Sequence, residues 1–289
     1  MKIGVTLPNN WGVEEPSTLL ALGPLAESLG FDSVWTMDHL LNIGRVRDRL
    51  EDRPYYHPLA ILSHLSATTE RITLGTSVMV LPYHDPVGLA KYAATLDAMS
   101  GGRLILGVGV GDCREEFAAL GISMRHRGAL TDESIAVMKD LWTNPDPSYR
   151  GGRYHFSDLK FSPRPVQKPH VPLWIGGASE AALSRTARTG DGWHPTSISP
   201  TDYADGRATV CSLAAEAGRD PASLVMSIRL DVDMAGKAGG ESLDQLARDM
   251  DAFREAGAEH VVLSLGSGDV SRLEVKMGAI ARHVMPAVR

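Results

Sequence analysis

Cysteine is scarce: Cys113 and Cys211 are the two thiols among 289 residues. Two isolated thiols without metal-ligand spacing give neither a zinc site nor a disulfide framework, and a reducing cytoplasm is the compartment they fit. Positive charge is also in short supply, with 29 Lys and Arg against 35 Asp and Glu and a net charge of -6. That balance argues against nucleic acid or an anionic membrane as a partner, because both select for basic faces. No apolar run approaches the roughly 18 residues that span a bilayer, and the opening MKIGVTLPNN has neither the apolar core nor the cleavage site of a signal peptide. Aromatic residues are few at 6%, yet hydrophobic residues reach 43% and charged residues 22%, the balance of a soluble chain with ample core.

What is present is a repeating alternation. Apolar, β-branched runs occur at KIGVTLP, SVWTMD, ITLGTSVMV, RLILGVGV, PLWIGG, GDGWHP, LVMSIRLDVDM and HVVLSLG. Segments of helix length separate them, over 17–29, 57–69, 86–99, 131–143, 179–189, 202–217, 242–256 and 271–284. Strand and helix in eight-fold alternation predict an α/β fold, the (β/α)8 TIM barrel, as a single domain over 1–289. The stretch 112–170 reads as an insertion segment between strands 4 and 5, with a helix and a small hairpin at YRGGRYHF. A doubly wound open sheet fits less well, since Pro8-Asn9-Asn10 stands where a phosphate-binding glycine turn should follow the first strand.

In a barrel the functional groups collect where strands end, so each strand terminus is a candidate site. The second strand ends in Asp38-His39. A histidine there can act as a general base or contact a ligand, or can merely cap its loop; Asp38 can orient it or open the loop as an Asx turn. The fourth strand, RLILGVGVGDCREEF, places Gly107, Gly109 and Gly111 on one face, which is therefore bare. The G-x-G-x-x-G dinucleotide spacing is broken by Asp112, so the bare face serves to receive a ring, a ligand or a bulky neighbour such as Trp. Asp112 itself reads as an N-cap of a helix starting near Cys113 or as a ligand contact. The fifth strand runs through Gly176-Gly177-Ala178-Ser179 into a helix, a candidate anion site, with His194 and Thr196 of the next strand on the same rim.

The seventh strand alternates Met226, Ile228 and Leu230 with Ser227, Arg229, Asp231 and Asp233, which predicts a polar face inside the barrel with Arg229 and Asp231 paired there as structural groups. The mixed run GRVRDRLEDR reads first as a solvated face and second as a lid that grips an anion.

Taken in order, SVWTMDHL, TERITLGTSVMVLPYHDPVGLAKYAATLDAMSGGRLILGVGVG, EEFAALGI, PRPVQKPHVPLWIGGAS and TGDGWHP resemble the bacterial luciferase-like superfamily, and within it the coenzyme F420-dependent oxidoreductases. The resemblance spans residues 2–200; beyond Pro200 it is one of element pattern. It implies a cofactor across the C-terminal mouth, with Asp38 and His39 at the ring, Ser77 and Val78 behind it, and Asp112 and Glu115 toward its pyrimidine side or the substrate. Gly176, Gly177, Ala178, Ser179 and Thr196 then hold the cofactor phosphate, and His39 and Asp112 are the catalytic candidates. One deazaflavin subgroup has Glu where Asp112 stands and Asn where Glu115 stands, which leaves the proton-donor role open.

The resemblance further implies that the third strand bulges, with a cis peptide between Ser77 and Val78, and that the glycine face of the fourth strand makes room for it. The implied activity is hydride transfer between F420 and a small organic molecule. FMN-dependent monooxygenation is the alternative, and a non-catalytic ligand-binding barrel a third reading. The working form implied is a homodimer, without nucleic-acid, membrane or metal partners.

Overall fold

The computed structural model of the protein describes residues 1–232 and 240–288. Eight parallel staves close a barrel: β1 (Lys2–Thr6), β2 (Ser33–Thr36), β3 (Thr73–Thr76) continued by β4 (Met79–Val80), β5 (Leu104–Gly109), β8 (Leu173–Gly176), β9 (Gly192–His194), β10 (Val225–Asp231) and β11 (His260–Ser264). Closure comes from β1 pairing with β11 and β3 with β5, so the expected (β/α)8 architecture is present with every expected stave. Asp233, which the alternation placed on the polar face of the seventh strand, lies outside the described residues.

The helices α1 (Pro16–Ser28), α3 (Pro58–Thr68), α4 (Pro86–Met99), α6 (Arg127–Thr143), α7 (Glu180–Thr189), α8 (Pro200–Glu216), α9 (Gly240–Glu255) and α10 (Val270–His283) form the outer ring. Local chemistry sets several starts. Pro occupies the first turn of α1, α3, α4 and α8, where its missing N–H costs nothing. Asp85, Ser179, Ser199 and Asp269 cap α4, α7, α8 and α10 by accepting from backbone N–H groups one turn on. Three described helices lie outside the simple alternation: α2 (Arg45–Leu50), inside the charge run, α5 (Arg114–Ala119) and the short α11 (Met285–Val288) after α10. The insertion holds α5, α6 and the hairpin β6 (Tyr149–Arg150) and β7 (His155–Phe156).

The main core lies between staves and helices, as in Leu19, Leu62, Leu74, Leu106 and Ile228, all fully buried. Inside the barrel a second cluster joins Trp35, Trp174 and Val262. None of the described helices is long and apolar enough to cross a membrane.

Candidate active site

A cavity of about 620 Å³ opens at the C-terminal end of the barrel. Asp38, His39, Ser77, Val78, Asp112 and Thr196 line it, together with Gly176 and Gly177, so most of the residues expected at the site come together there. Glu115, Ala178 and Ser179 do not line it. Ser179 is the N-cap of α7, its hydroxyl accepting from Ala182 N at 3.3 Å, and with Ala178 it sits exposed beyond Gly177.

The third stave is broken at the cavity. Gly75 pairs with Ile105 and Met79 with Val108, so one strand advances by one residue more than its neighbour: a bulge, within which the Ser77–Val78 bond is cis as expected. The bare glycine face of β5 receives this bulge. A Cβ on Gly107 would stand 1.9 Å from the Thr76 carbonyl oxygen, and one on Gly109 would stand 2.7 Å from Val78 Cγ2. The alternative filling by a tryptophan is realised one stave away, where Trp35 occupies the space beside Gly75.

His39 does not merely cap its loop. Its Nδ1 lies 2.6 Å from Oε2 of Glu116, a fully buried residue whose other oxygen accepts from Leu40 N at 2.6 Å and Leu41 N at 3.1 Å. Burial would raise the Glu116 carboxyl, but the bonds from His39 and the two backbone donors outweigh it and hold the pKa below its ordinary value. An ionised carboxylate only accepts, so His39 carries its proton on Nδ1 and keeps Nε2 free. Asp38 does not orient His39: its Oδ2 accepts from His84 Nε2 at 2.7 Å and Val80 N at 2.9 Å, tying the second stave to the bulge.

The N-cap of α5 is Cys113, not Asp112. Asp112 instead pairs with both terminal nitrogens of Arg45, at 2.9 Å for Nη1 to Oδ2. Glu115 is exposed, with its carboxylate against Gly44. It is thus Glu116, one residue on, that turns inward. The charge run is more than a solvated face, since α2 buries Val46 and Leu50 while presenting Arg45 and Arg49 to the cavity.

His194 also lines the cavity. It stacks on Trp35 at 4.9 Å and joins Ser77 Oγ (2.9 Å, through Nε2) to Ser227 Oγ (2.8 Å, through Nδ1). Burial, then the nearby charges of Arg229 and His260, push its pKa down to about 3, so it is neutral in the fold. The expected pairing of Arg229 with Asp231 is loose, 3.7 Å from Nε to Oδ1, and Asp231 is exposed at the mouth, not enclosed in the barrel. Arg229 also reaches the Ser77 carbonyl at 3.3 Å.

Several buried polar atoms on cavity residues have no hydrogen-bond partner among the described residues: Asn10 Oδ1, Asp38 Oδ1, the Tyr55 hydroxyl and Arg229 Nε. Buried polar groups are ordinarily bonded, so donors and acceptors left open around one cavity fit a ligand with a polar edge. The bulge and the glycines Gly109 and Gly176 give it backbone to lie against, and Gly177 with the α7 terminus offers N–H groups to an anion. The residues present therefore fit a flavin or deazaflavin ring.

Fold and cavity together define a parallel (β/α)8 barrel with a cavity at its C-terminal mouth. The family of luciferase-like monooxygenases matches residues 1–260, and the chain belongs to it. An F420-dependent glucose-6-phosphate dehydrogenase of Microbacterium testaceum is 35% identical over 211 residues, 67% of this chain and 58% of that protein. Its counterpart in Amycolatopsis mediterranei is 32% identical over 63% of this chain and 54% of its own length, so the chain spans little more than half of these relatives. An uncharacterized protein of Mycobacterium tuberculosis is 34% identical over 74% of this chain and 79% of that protein. Among solved structures, an F420-dependent secondary alcohol dehydrogenase in complex with an F420-acetone adduct superposes with a TM-score of 0.83 at 20% identity, over 100% of this chain and 99% of that one. The oxygenating constituent of 3,6-diketocamphane monooxygenase from Pseudomonas putida, in complex with FMN, gives 0.77 at 16%, with the same coverage. At these identities the structures show the shared fold.

Proposed function

We propose that the protein is an oxidoreductase that transfers a hydride between the deazaflavin coenzyme F420 and a small organic substrate. The observation that carries this reading is His39, in the cavity lining and bonded to the buried Glu116 behind it, facing the same cavity as the open polar atoms of Asn10, Asp38, Tyr55 and Arg229. Relatives described as F420-dependent dehydrogenases support the choice of cofactor.

A deazaflavin has carbon in place of N5 and so supplies hydride transfer without oxygen activation. His39 Nε2 takes or returns the hydroxyl proton of the substrate as the hydride moves, with Glu116 fixing the ring and balancing the charge that develops on it. Asp112 stands at the mouth as a second proton-handling group. Ser77 and Val78 back the ring, Asp38 meets its polar edge, and Gly176, Gly177 and Thr196 hold the phosphate, with Ala178 and Ser179 supplying the turn and cap behind them. The working form is a homodimer in the cytoplasm, which light scattering behind size exclusion and cell fractionation test.

A second reading, FMN-dependent monooxygenation, is favoured by the family's description and by the FMN-bound barrel among the structural neighbours. Titration of the purified protein with oxidised F420 and with FMN, followed by cofactor and Trp fluorescence, separates the two. Tighter F420 binding is expected. Equal or reversed affinity overturns the proposal, and binding of neither leaves a barrel without this chemistry.

A further inference from the structure

Hydride transfer leaves one cation at the mouth without a task. Arg45 and Arg49 stand one turn apart on α2, both in the cavity lining, but their situations differ. Arg45 is neutralised by Asp112. Arg49 lies over the ring of Trp11 at 4.7 Å, and among the described residues no carboxylate comes within ion-pair distance of it. Stacking on an indole orients a guanidinium while leaving its N–H fork open in the ring plane.

The other acids of the cavity do not supply a partner. Asp38 is committed through Oδ2 to His84 and Val80, and Glu116 is enclosed behind His39. Of the three arginines in the lining, Arg45 is matched by Asp112 and Arg229 stands 3.7 Å from Asp231, whereas Arg49 has no such acid among the described residues. The same cavity contains the Tyr55 hydroxyl, buried and without a hydrogen-bond partner among the described residues, a neutral O–H that donates. A stacked, unpaired guanidinium and an open hydroxyl donor in one cavity match the recognition of an oxyanion.

Resting on the hydride-transfer reading, we propose that Arg49, assisted by the Tyr55 hydroxyl, binds an oxyanion carried by the substrate. The substrate class is then small molecules with a terminal carboxylate or phosphate. The anion sits on the α2 side of the cavity, apart from the Gly177 turn that serves the cofactor phosphate.

Calorimetric titration of the purified chain at low salt with inorganic phosphate, and separately with succinate, tests this before any substrate is known. At least one anion is expected to bind the wild type, Arg49→Gln to weaken it about tenfold or more, and Arg49→Lys to fall between. Arg47→Gln is the control: Arg47 is exposed on the same helix and outside the cavity lining, so binding should be unchanged. A thermal midpoint for Arg49→Gln equal to the wild type shows that the fold is kept. Repeating the titration on F420-loaded protein separates the two sources of anion: binding that persists supports a substrate site, whereas displacement by F420 assigns the anion to the cofactor and overturns the proposal. Absence of binding by both anions, or equal loss in Arg49→Gln and Arg47→Gln, also overturns it. Should F420 itself fail to bind, the hydride-transfer reading falls, and the titration of unloaded protein still decides whether Arg49 holds an oxyanion.

Discussion

Glu116 and His39 are 77 positions apart in the chain, and their side chains meet at 2.6 Å in the mouth of the barrel. The carboxylate fixes which ring nitrogen carries the proton and also holds the backbone N–H groups of Leu40 and Leu41. His39→Asn is therefore expected to abolish most turnover, on the order of a hundredfold, the usual worth of a positioned acid or base. His39→Ala is less clean, because it strips a fully buried carboxylate of a hydrogen-bond donor and should also lower stability, by about 1–3 kcal/mol. Glu116→Gln should lower kcat with little change in KM, since substrate contact runs through His39. Steady-state kinetics beside urea denaturation tell the variants apart; full activity in His39→Asn would remove His39 from the chemistry.

Asp112 is a different kind of carboxylate. It is 64% exposed on its side chain and bonded to Arg45, itself 61% exposed. Such a pair contributes no more than about 1 kcal/mol. Asp112→Asn should leave the denaturation midpoint nearly unchanged while reducing turnover, if the residue handles a proton as proposed. Wild-type kcat in this variant would confine Asp112 to holding Arg45 in place.

Acid should unfold the protein through two buried histidines. His194 and His260 are each lowered from 6.5 to about 3, chiefly by burial. Between those values the unfolded chain binds a proton at each site that the native state refuses. Their stabilising effect is complete above about pH 6.5 and is lost as the pH falls toward 3, by up to about 1.4 kcal/mol per pH unit for each histidine. Glu116, held below its ordinary value, adds a further loss at lower pH. Urea denaturation at pH 7, 6, 5 and 4 should show falling midpoints, with a shallower slope in His194→Asn. A flat profile across this window would show that both rings are protonated without cost.

The barrel was legible because each stave carries its own apolar pattern, and so were the residues at stave ends, because a barrel collects its site there. Glu116 was harder to single out from Glu115. Which of two adjacent acids turns inward depends on where α5 starts, and its start at Arg114 follows a Cys113 cap that no side-chain propensity marks. The sequence of the Arg45–Leu50 helix resembles a solvated charge run because six residues show too little periodicity to reveal Val46 and Leu50 as a buried pair. The expected Arg229–Asp231 pair failed as an interior feature for a positional reason: these residues end their strand, so the inward-facing position of Asp231 falls at the open mouth.

The purpose of the alternating glycines gives the sharpest test of the site's construction. Gly107 and Gly109 face the same bulge, but they meet different atoms of it. A methyl on Gly107 would collide with the Thr76 carbonyl oxygen at 1.9 Å, and that oxygen belongs to backbone held by pairing with β2. A methyl on Gly109 would meet the end of the Val78 side chain at 2.7 Å, an atom that a rotamer change can move. Gly107→Ala should therefore cost about 3 kcal/mol or more, since overpacking against backbone forces the stave itself to shift. Gly109→Ala should cost less than half as much, but it pushes Val78 into the cavity and should weaken cofactor binding about tenfold. Urea denaturation reads the first effect and fluorescence titration with F420 the second. If Gly109→Ala bound F420 as the wild type does, Val78 would not back the ring, and the cofactor would have to lie elsewhere in the mouth.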